Sequence, residues 1–452
     1  MKFRKPIIRL LSAFCFLFSV FCLPVFAQES PSRLHLSLQD CLELALQNNA
    51  KLPIRDYAID AAQQRIREAK ATFWPVIDYS NKMAPAPKDA LHAAKSFFEG
   101  DLTFWNSTHI GLGFPVYAFG QLETAQNLAR KGVEVARQEK VRDEATIYFE
   151  VQQLYHGILF SKEIQGIMQD AVNKLENQLK KEEETKKHSP YDILKLKVFK
   201  ADLEKRILEI KEKETEARLA LKIQIGLPSD RTFELADSHL EPAQKTLGPL
   251  AEYLNTTESG RAESQLVDLG VSLKKLEYDL EKKKRLPRVG FGGFFEVART
   301  TSDIRNLRLT DDFNDPFNFM RAGAGIEIKG VLDFHGSSAK VRRLESEYQK
   351  AVLEKNLAKQ GMQLEVETAY HDANRLQETM ILSEEKQKMA RQMMFLSKAN
   401  LDIGVGEEKD YTDALQLVLL TRGEYLKSVF DYNMALAKLN QKAGRRYEAS
   451  AQ

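Results

Sequence analysis

Histidine and cysteine are the side chains that hold metals, shuttle protons or act as nucleophiles near neutral pH, so their spacing is read first. The chain has eight histidines and three cysteines, and no histidine stands at metal-ligand spacing from a cysteine or another histidine. Tyr155-His156 and Tyr370-His371 recur as a pair, which on long helices points to packing rather than catalysis. Gly323-Ala324-Gly325 lacks the third glycine of a dinucleotide loop and lies in a strand-like alternation. Charge runs such as Lys180-Lys181-Glu182-Glu183-Glu184 suit solvated helix faces. No catalytic, cofactor-binding or metal-ligating set emerges, and the chain reads as a non-enzyme.

The ends bound the compartment. Lys2, Arg4, Lys5 and Arg9 precede an uncharged stretch from Leu10 to Phe26, and Val25-Phe26-Ala27 closes it. That is the pattern of a signal peptide over 1–27, cut between Ala27 and Gln28. Cleavage removes four basic residues and no acid, leaving 62 basic against 64 acidic residues. So even a balance argues against nucleic acid as a partner. Only Cys41 then remains, which rules out an intramolecular disulfide and suits a buried thiol among Leu42, Leu44 and Leu46. No later apolar run is long enough to cross a bilayer as a helix, so any crossing must use β-strands.

The chain repeats itself. At an offset of 215, Phe119 meets Phe334, Ala136 meets Ala351, and Glu139-Lys140 meets Glu354-Lys355. Glu150-Val151 meets Glu365-Val366, Tyr155-His156 meets Tyr370-His371, and Glu163 meets Glu378. Nine ungapped identities between 119 and 163 compare with about three for random pairing at ordinary composition. Further on the offset becomes 218, where Asp192 meets Asp410, Leu208 meets Leu426, Leu221 meets Leu439 and Gly226 meets Gly444. Three residues gained or lost between the blocks mark a turn there.

Each half has the same expected order. Ser37 caps a helix through Cys41 to Leu46 with Asp40 as reciprocal partner, and a second helix covers 50–72. N-terminal helices thus fill 28–75, strands 76–117, and a long helix to about Lys186 with a return helix 118–228. An inter-repeat connection spans 229–257. The second half has a helix over 258–287, strands over 288–332, long and return helices over 333–444, and a tail over 445–452.

Element lengths and patterns point to a hollow assembly. A helix over 121–186 spans about 100 Å and its return helix roughly 50 Å, so two short helices must flank each long one. The long helix carries a narrow apolar stripe, Ile147, Val151, Leu154, Ile158 and Leu159, which suits coiled-coil packing with much surface in water. From 102 to 116 one face reads Leu102, Phe104, Asn106, Thr108, Ile110, Leu112, Phe114, Val116, and from 320 to 328 Met320, Ala322, Ala324, Ile326, Ile328. Thr103, Ser107 and His109, then Arg321, Glu327 and Lys329, fill the opposite faces, the alternation of a lipid-facing barrel strand. Val76 to Ser80 and Val289 to Val297 are the partner strands, with polar loops over 82–101 and 300–316. Four strands cannot close a barrel, and open edges cannot face lipid, so several chains must share one. A solid exported coiled-coil scaffold without a pore is the alternative on helix pattern alone.

The segment from Ser37-Leu38-Gln39-Asp40-Cys41-Leu42 to Gln47-Asn48-Asn49, with Ala61-Ala62, Ala69-Lys70-Ala71 and Trp74-Pro75, resembles the opening of the TolC-like outer membrane efflux proteins. The resemblance covers essentially all of the chain after residue 27, in two repeats. It implies a mixed, mostly α fold: a homotrimeric twelve-stranded β-barrel in outer-membrane lipid, continued by an α-helical tunnel across the periplasm. It also implies a passive conduit for efflux or type I secretion, opened by a periplasmic adaptor and an inner-membrane transporter, with no cofactor. Gly404 followed by Asp410 and Asp413 resembles the family's periplasmic tip, where paired aspartates face the axis and form the gate. Six such carboxylates in a trimeric ring would bind cations. Gly404, Gly406, Ser189, Pro190 and Asp192 would form the turns that meet the adaptor. Two positions depart from the pattern. Lys186 replaces the tip glycine in the first repeat, and Gly406 stands where some members carry a latching arginine.

Overall fold

The computed structural model describes residues 34–185, 190–243, 246–305, 315, 317–330, 333 and 335–445. The expected signal peptide lies outside the described residues. Strand β1 (Leu34–Leu36) leads into α1 (Leu38–Asn48) and α2 (Lys51–Ala71), then β2 (Val76–Pro87), α3 (Ala93–Glu99) and β3 (Leu102–Tyr117). The long helix α4 (Gln121–Thr185) and the return helix α5 (Pro190–Gln224) follow, then β4 (Phe233–Leu235) and α6 (Leu250–Gly260). The second half continues with α7 (Ala262–Lys283), β5 (Arg288–Thr300), β6 (Phe319–Lys329), α8 (Gly336–Asp402) and α9 (Glu408–Ala443). α4 and α8 start 215 residues apart, and α5 and α9 start 218 apart, the two offsets read from sequence identities.

Local chemistry explains the element ends. Ser37 caps α1 by accepting from the Asp40 backbone N–H, and the Asp40 carboxylate accepts from the Ser37 N–H in return. Those hydrogen bonds from Ser37 hold the Asp40 carboxyl below the usual carboxylate range. Asn49 breaks α1 from α2: its Oδ1 accepts from Lys51 N–H at 2.9 Å, and its Nδ2 donates to the Gln224 carbonyl at 3.0 Å. Pro190 occupies the first position of α5, where its missing N–H costs no helix bond.

Each long helix is flanked as its length requires, α4 by α2 and α5 and α8 by α7 and α9, while α4 also touches α7 and α9 across the repeat boundary. At 65 and 67 residues, α4 and α8 are each about 100 Å long. The main core lies at the equator, where short helices meet end to end. Cys41, Leu42 and Ala45 of α1 pack there on Ile147, Val151, Ile158 and Leu159 of α4 and on Val429 of α9. Burying each large apolar side chain contributes about 1.5–3 kcal/mol, which concentrates stability in this belt. Burial, with the nearby Asp40 charge, pushes the Cys41 thiol up to about 12, so it is an inert packing group.

Matched glycines end the two return helices in the left-handed conformation, Gly226 at φ +65° and Gly444 at φ +69°. Each is pressed against the break between the short helices of its own repeat. A Cβ on Gly226 would lie 2.5 Å from Asn48 Cβ, and one on Gly444 would lie 2.4 Å from the Arg261 nitrogen. Gly226→Ala and Gly444→Ala should therefore each destabilise by about 2 kcal/mol or more, read as a drop in thermal unfolding temperature. A loss under half a kcal/mol would contradict the close approach.

The four-stranded sheet is antiparallel in the order β2-β3-β5-β6, while β1 pairs with β4 in parallel at the equator. One expectation needs correction here. The strand expected to stop at Ser80 runs to Pro87, so the expected loop over 82–101 opens on six strand residues and also carries α3. Antiparallel pairing with the long β3 from Leu102 onward draws those residues into the ladder. The connection expected over 229–257 contains β4 and most of α6, held by β1 and by Tyr253 packing in a core with Val366 and Ala369. Most of the loop expected over 300–316 lies outside the described residues.

Candidate functional site

The sheet is two-faced, and its register shows how. Cross-strand rows place Ile77, Leu112 and Gly293 together, and Tyr79, Ile110, Phe295 and Ala322 in the next. Phe114, Phe291 and Ile326 make a third row. Most of these residues are exposed in the single chain, with Ile77 at 70%, Tyr79 at 67% and Ile326 at 75%, while Phe114 is half-buried. The opposite face carries Ser80, His109, Glu296 and Arg321 in one row. There Arg321 Nη2 donates to Glu296 Oε2 at 2.8 Å, and His109 Nε2 lies 3.5 Å from Asp78 Oδ2. A hairpin on a soluble core would bury the apolar face, and this sheet leaves it exposed. β2 and β6 each have one unpaired edge within the chain.

Where strands become helices, the two repeats are locked together. Gln121, 2% exposed, donates through Nε2 to the carbonyls of Lys283 and Leu286 at 3.0 and 3.1 Å. Arg288 Nε donates to Gln121 Oε1 at 2.8 Å. Trp74, 72% exposed, and Tyr117, 56% exposed, stand at this same level, as aromatic residues do where a barrel meets the water interface.

The far ends of the long helices form the tips, about 100 Å from the sheet. After α8, the N–H groups of Val405 and Gly406 both donate to the Asn400 carbonyl at 3.0 Å, and Gly404 adopts φ +77°. A Cβ on Gly406 would lie 2.9 Å from Asn400 Cβ and 3.1 Å from the Leu401 nitrogen. This turn therefore has little room for a side chain at that place. Glu407 is the N-cap of α9. Asp410 is its third residue rather than a cap, its N–H donating to the Glu407 carbonyl at 3.1 Å. Asp410 and Asp413 are both exposed, and a spacing of three puts them on one helix face. Pro190 is exposed and Asp192 lies in the first turn of α5, while Ser189 and Lys186 lie outside the described residues. The structure brings Gly404, Gly406, Asp410 and Asp413 into one tip. Ile403 and Val405 flank Gly404 there, 72% and 80% exposed.

The recurring Tyr-His pairs are packing groups. Tyr155 is fully buried and its hydroxyl donates to Asp237 Oδ2 at 2.8 Å. Burial pushes His156 down to about 4, against the opposing pull of Asp237, so it is neutral. Tyr370 packs against Tyr253 at a centroid distance of 5.8 Å. Among the described residues, no group of three or more His, Cys, Asp or Glu side chains could hold a metal ion. Likewise, no described helix is long and apolar enough to cross a membrane.

Solved structures share this arrangement of a two-faced sheet capping long helices. The Vibrio cholerae outer membrane protein VceC superposes with a TM-score of 0.71 at 17% identity, over 91% of this chain and 97% of that one. The open-state Neisseria gonorrhoeae MtrE outer membrane channel gives 0.74 at 13% identity, over 92% and 90%. The Campylobacter jejuni CmeC outer membrane channel gives 0.70 at 13% identity, over 92% and 87%. No curated protein matches by sequence. Residues 268–445 match the family model described as Outer membrane efflux protein. That match covers about two fifths of the chain, and the chain as a whole shares its fold with the three channels.

Salt bridges join the short and long helices. Lys355 and Lys359 of α8 reach Asp268 of α7, Lys340 reaches Glu281, and Lys274 reaches Glu347. Desolvation raises the Asp268 and Glu281 carboxyls, but the lysine hydrogen bonds outweigh it and hold both below the usual carboxylate range. Carboxyls depressed in the folded state stabilise it above their unfolded pKa, and that contribution is lost as pH falls through the folded pKa. Thermal stability should therefore fall as pH drops below about 4. Asp268→Asn combined with Glu281→Gln should flatten that dependence. An unchanged slope would contradict the assignment.

Proposed function

We propose that this chain is a subunit of an outer-membrane efflux channel, in which three copies pool their four-stranded sheets into one twelve-stranded barrel. The carrying observation is the inverted sheet, with its exposed apolar face, its charged opposite face and an open edge at each end. In lipid every edge must be paired, and small closed barrels need about eight strands or more, so one chain is insufficient. The helices then hang into the periplasm as a water-filled tunnel, with the charged row of Glu296 and Arg321 lining the barrel lumen. A scaffold without a pore gives no reason for an apolar sheet face turned outward.

In this reading the tips are the closed end. Asp410 and Asp413 from three copies supply six carboxylates around the axis, and the turns at Gly404 and Pro190 meet a periplasmic adaptor. That adaptor and an inner-membrane transporter drive substrate through, and the channel is a passive conduit that does no chemistry. The VceC, MtrE and CmeC folds support this assignment, as does the family match over the second repeat. Purified protein in a planar lipid bilayer tests it. Discrete cation-sensitive conductance steps are expected, and a silent membrane from folded protein would overturn it.

A further inference from the structure

Above the equator the helices of one chain stand side by side in a row. There α2 touches α4, α4 touches α7 and α7 touches α8, so α2 and α8 end the row. These are the edges at which the sheet also ends, since α2 precedes the edge strand β2 and α8 follows the edge strand β6. Both end helices carry large apolar side chains in the open. Ile54 and Tyr57 of α2 are 67% and 75% exposed, and Leu353 and Leu357 of α8 are 70% and 71% exposed. Spacings of three and four put each pair on one helix face.

The internal duplication supplies a template for what meets them. Asp56 of α2 pairs with Lys140 of α4 at 2.6 Å, and Asp268 of α7 pairs with Lys355 of α8 at 2.7 Å. The two short helices therefore correspond at an offset of 212, as the two long ones do at 215. Between the repeats α4 and α7 pack directly, where Glu134, Arg137 and Gln138 of α4 line one cleft with Gln265, Asp268 and Leu269 of α7. The same offsets turn these into Gln349, Val352 and Leu353 of α8 and Pro53, Asp56 and Tyr57 of α2. Leu266 and Leu269, the counterparts of Ile54 and Tyr57, are half-buried, and so is Gln138, the counterpart of Leu353. One chain thus completes this junction once, between its repeats, and carries the two halves of a second at opposite ends of the row.

We propose that the α2 edge of one copy docks on the α8 edge of the next, with Ile54 and Tyr57 set against Leu353 and Leu357. The partner is a second copy of this chain, and the contact rests on the shared-barrel reading, which joins the same two edges through β2 and β6. Two different surfaces meet, so the contact runs head to tail and can close into a ring. Apolar area left in water by the single chain, and withdrawn on assembly, favours that ring. The seam needs no packing beyond the kind already present between α4 and α7.

The full-length protein carrying Tyr57→Cys with Leu353→Cys is oxidised in the outer membrane. Covalent dimers and trimers on a denaturing gel are the expected products, and Cys41 is buried and takes no part. Within one chain the two positions lie three helix spacings apart, roughly 25 Å, so a disulfide can only join neighbouring copies. Tyr57→Cys with Arg342→Cys, on the same face of α8 but about 16 Å along it, should give no such ladder. Tyr57→Lys and Leu353→Glu should each lower the temperature at which the trimer dissociates in detergent, and the two together should recover most of that loss. No linkage between positions 57 and 353 in intact trimers, or a ladder from the Arg342 pair alone, would overturn the seam and leave the barrel standing. A wild-type protein that is monomeric by light scattering would instead remove the barrel reading itself.

Discussion

Ile326→Arg should almost abolish assembled protein in the outer membrane, while Glu327→Arg, one residue along the same strand, should leave most of it intact. Ile326 is 75% exposed and sits in the apolar row with Phe291; Glu327 points to the opposite face beside Gly290. Arginine on the lipid face near the bilayer midplane costs about 2–4 kcal/mol. Three copies in one barrel would multiply that to roughly 6–12 kcal/mol, comparable with the whole stability of an ordinary domain. The opposite face already carries Glu296 and Arg321 and would meet water in the proposed barrel, so Glu327→Arg costs little there. The measurement is the yield of heat-modifiable, detergent-resistant protein. Equal yields would mean that the apolar face does not meet lipid.

Asp410→Ala with Asp413→Ala should weaken divalent-cation block by more than tenfold and raise the resting conductance. In the proposed trimeric ring, carboxylates about 8 Å apart at an effective dielectric near 20 would repel by roughly 2 kcal/mol per pair, and a divalent ion at its centre would relieve that repulsion. Loss of even about 1.4 kcal/mol of that binding is a factor of ten in affinity. The two side chains are exposed on one face of α9 and do not cap it, so the fold of a single chain should survive their removal. Bilayer conductance titrated with a divalent salt reads the effect. Block that matches wild type would move the constriction elsewhere on the tip.

Much of this was legible in the residues because it rests on local rules. The Ser37–Asp40 cap, the 65- and 67-residue helices and the αL glycines 226 and 444 follow from spacing, periodicity and side-chain size. The duplication was visible because both repeats solve the same packing problem at the equator. Less legible were β4, α6 and the upper half of β2. β4 is three residues long and exists only because β1 runs beside it, some 200 residues away in sequence. The Pro85-Ala86-Pro87 end of β2 carries two prolines that read as loop. They are accommodated because β2 is an edge strand, where missing N–H groups cost no ladder bond within the chain.

By itself the sequence determined the two-fold repeat, the rod lengths and the alternation of lipid-type and water-type side chains, because each depends on neighbours within a few turns or strand residues. Only the tertiary structure decided which strands adjoin, which sheet face is left bare and that α3 stands beside an open edge. Those outcomes depend on contacts between residues up to about 200 positions apart, where local periodicity carries no information about pairing.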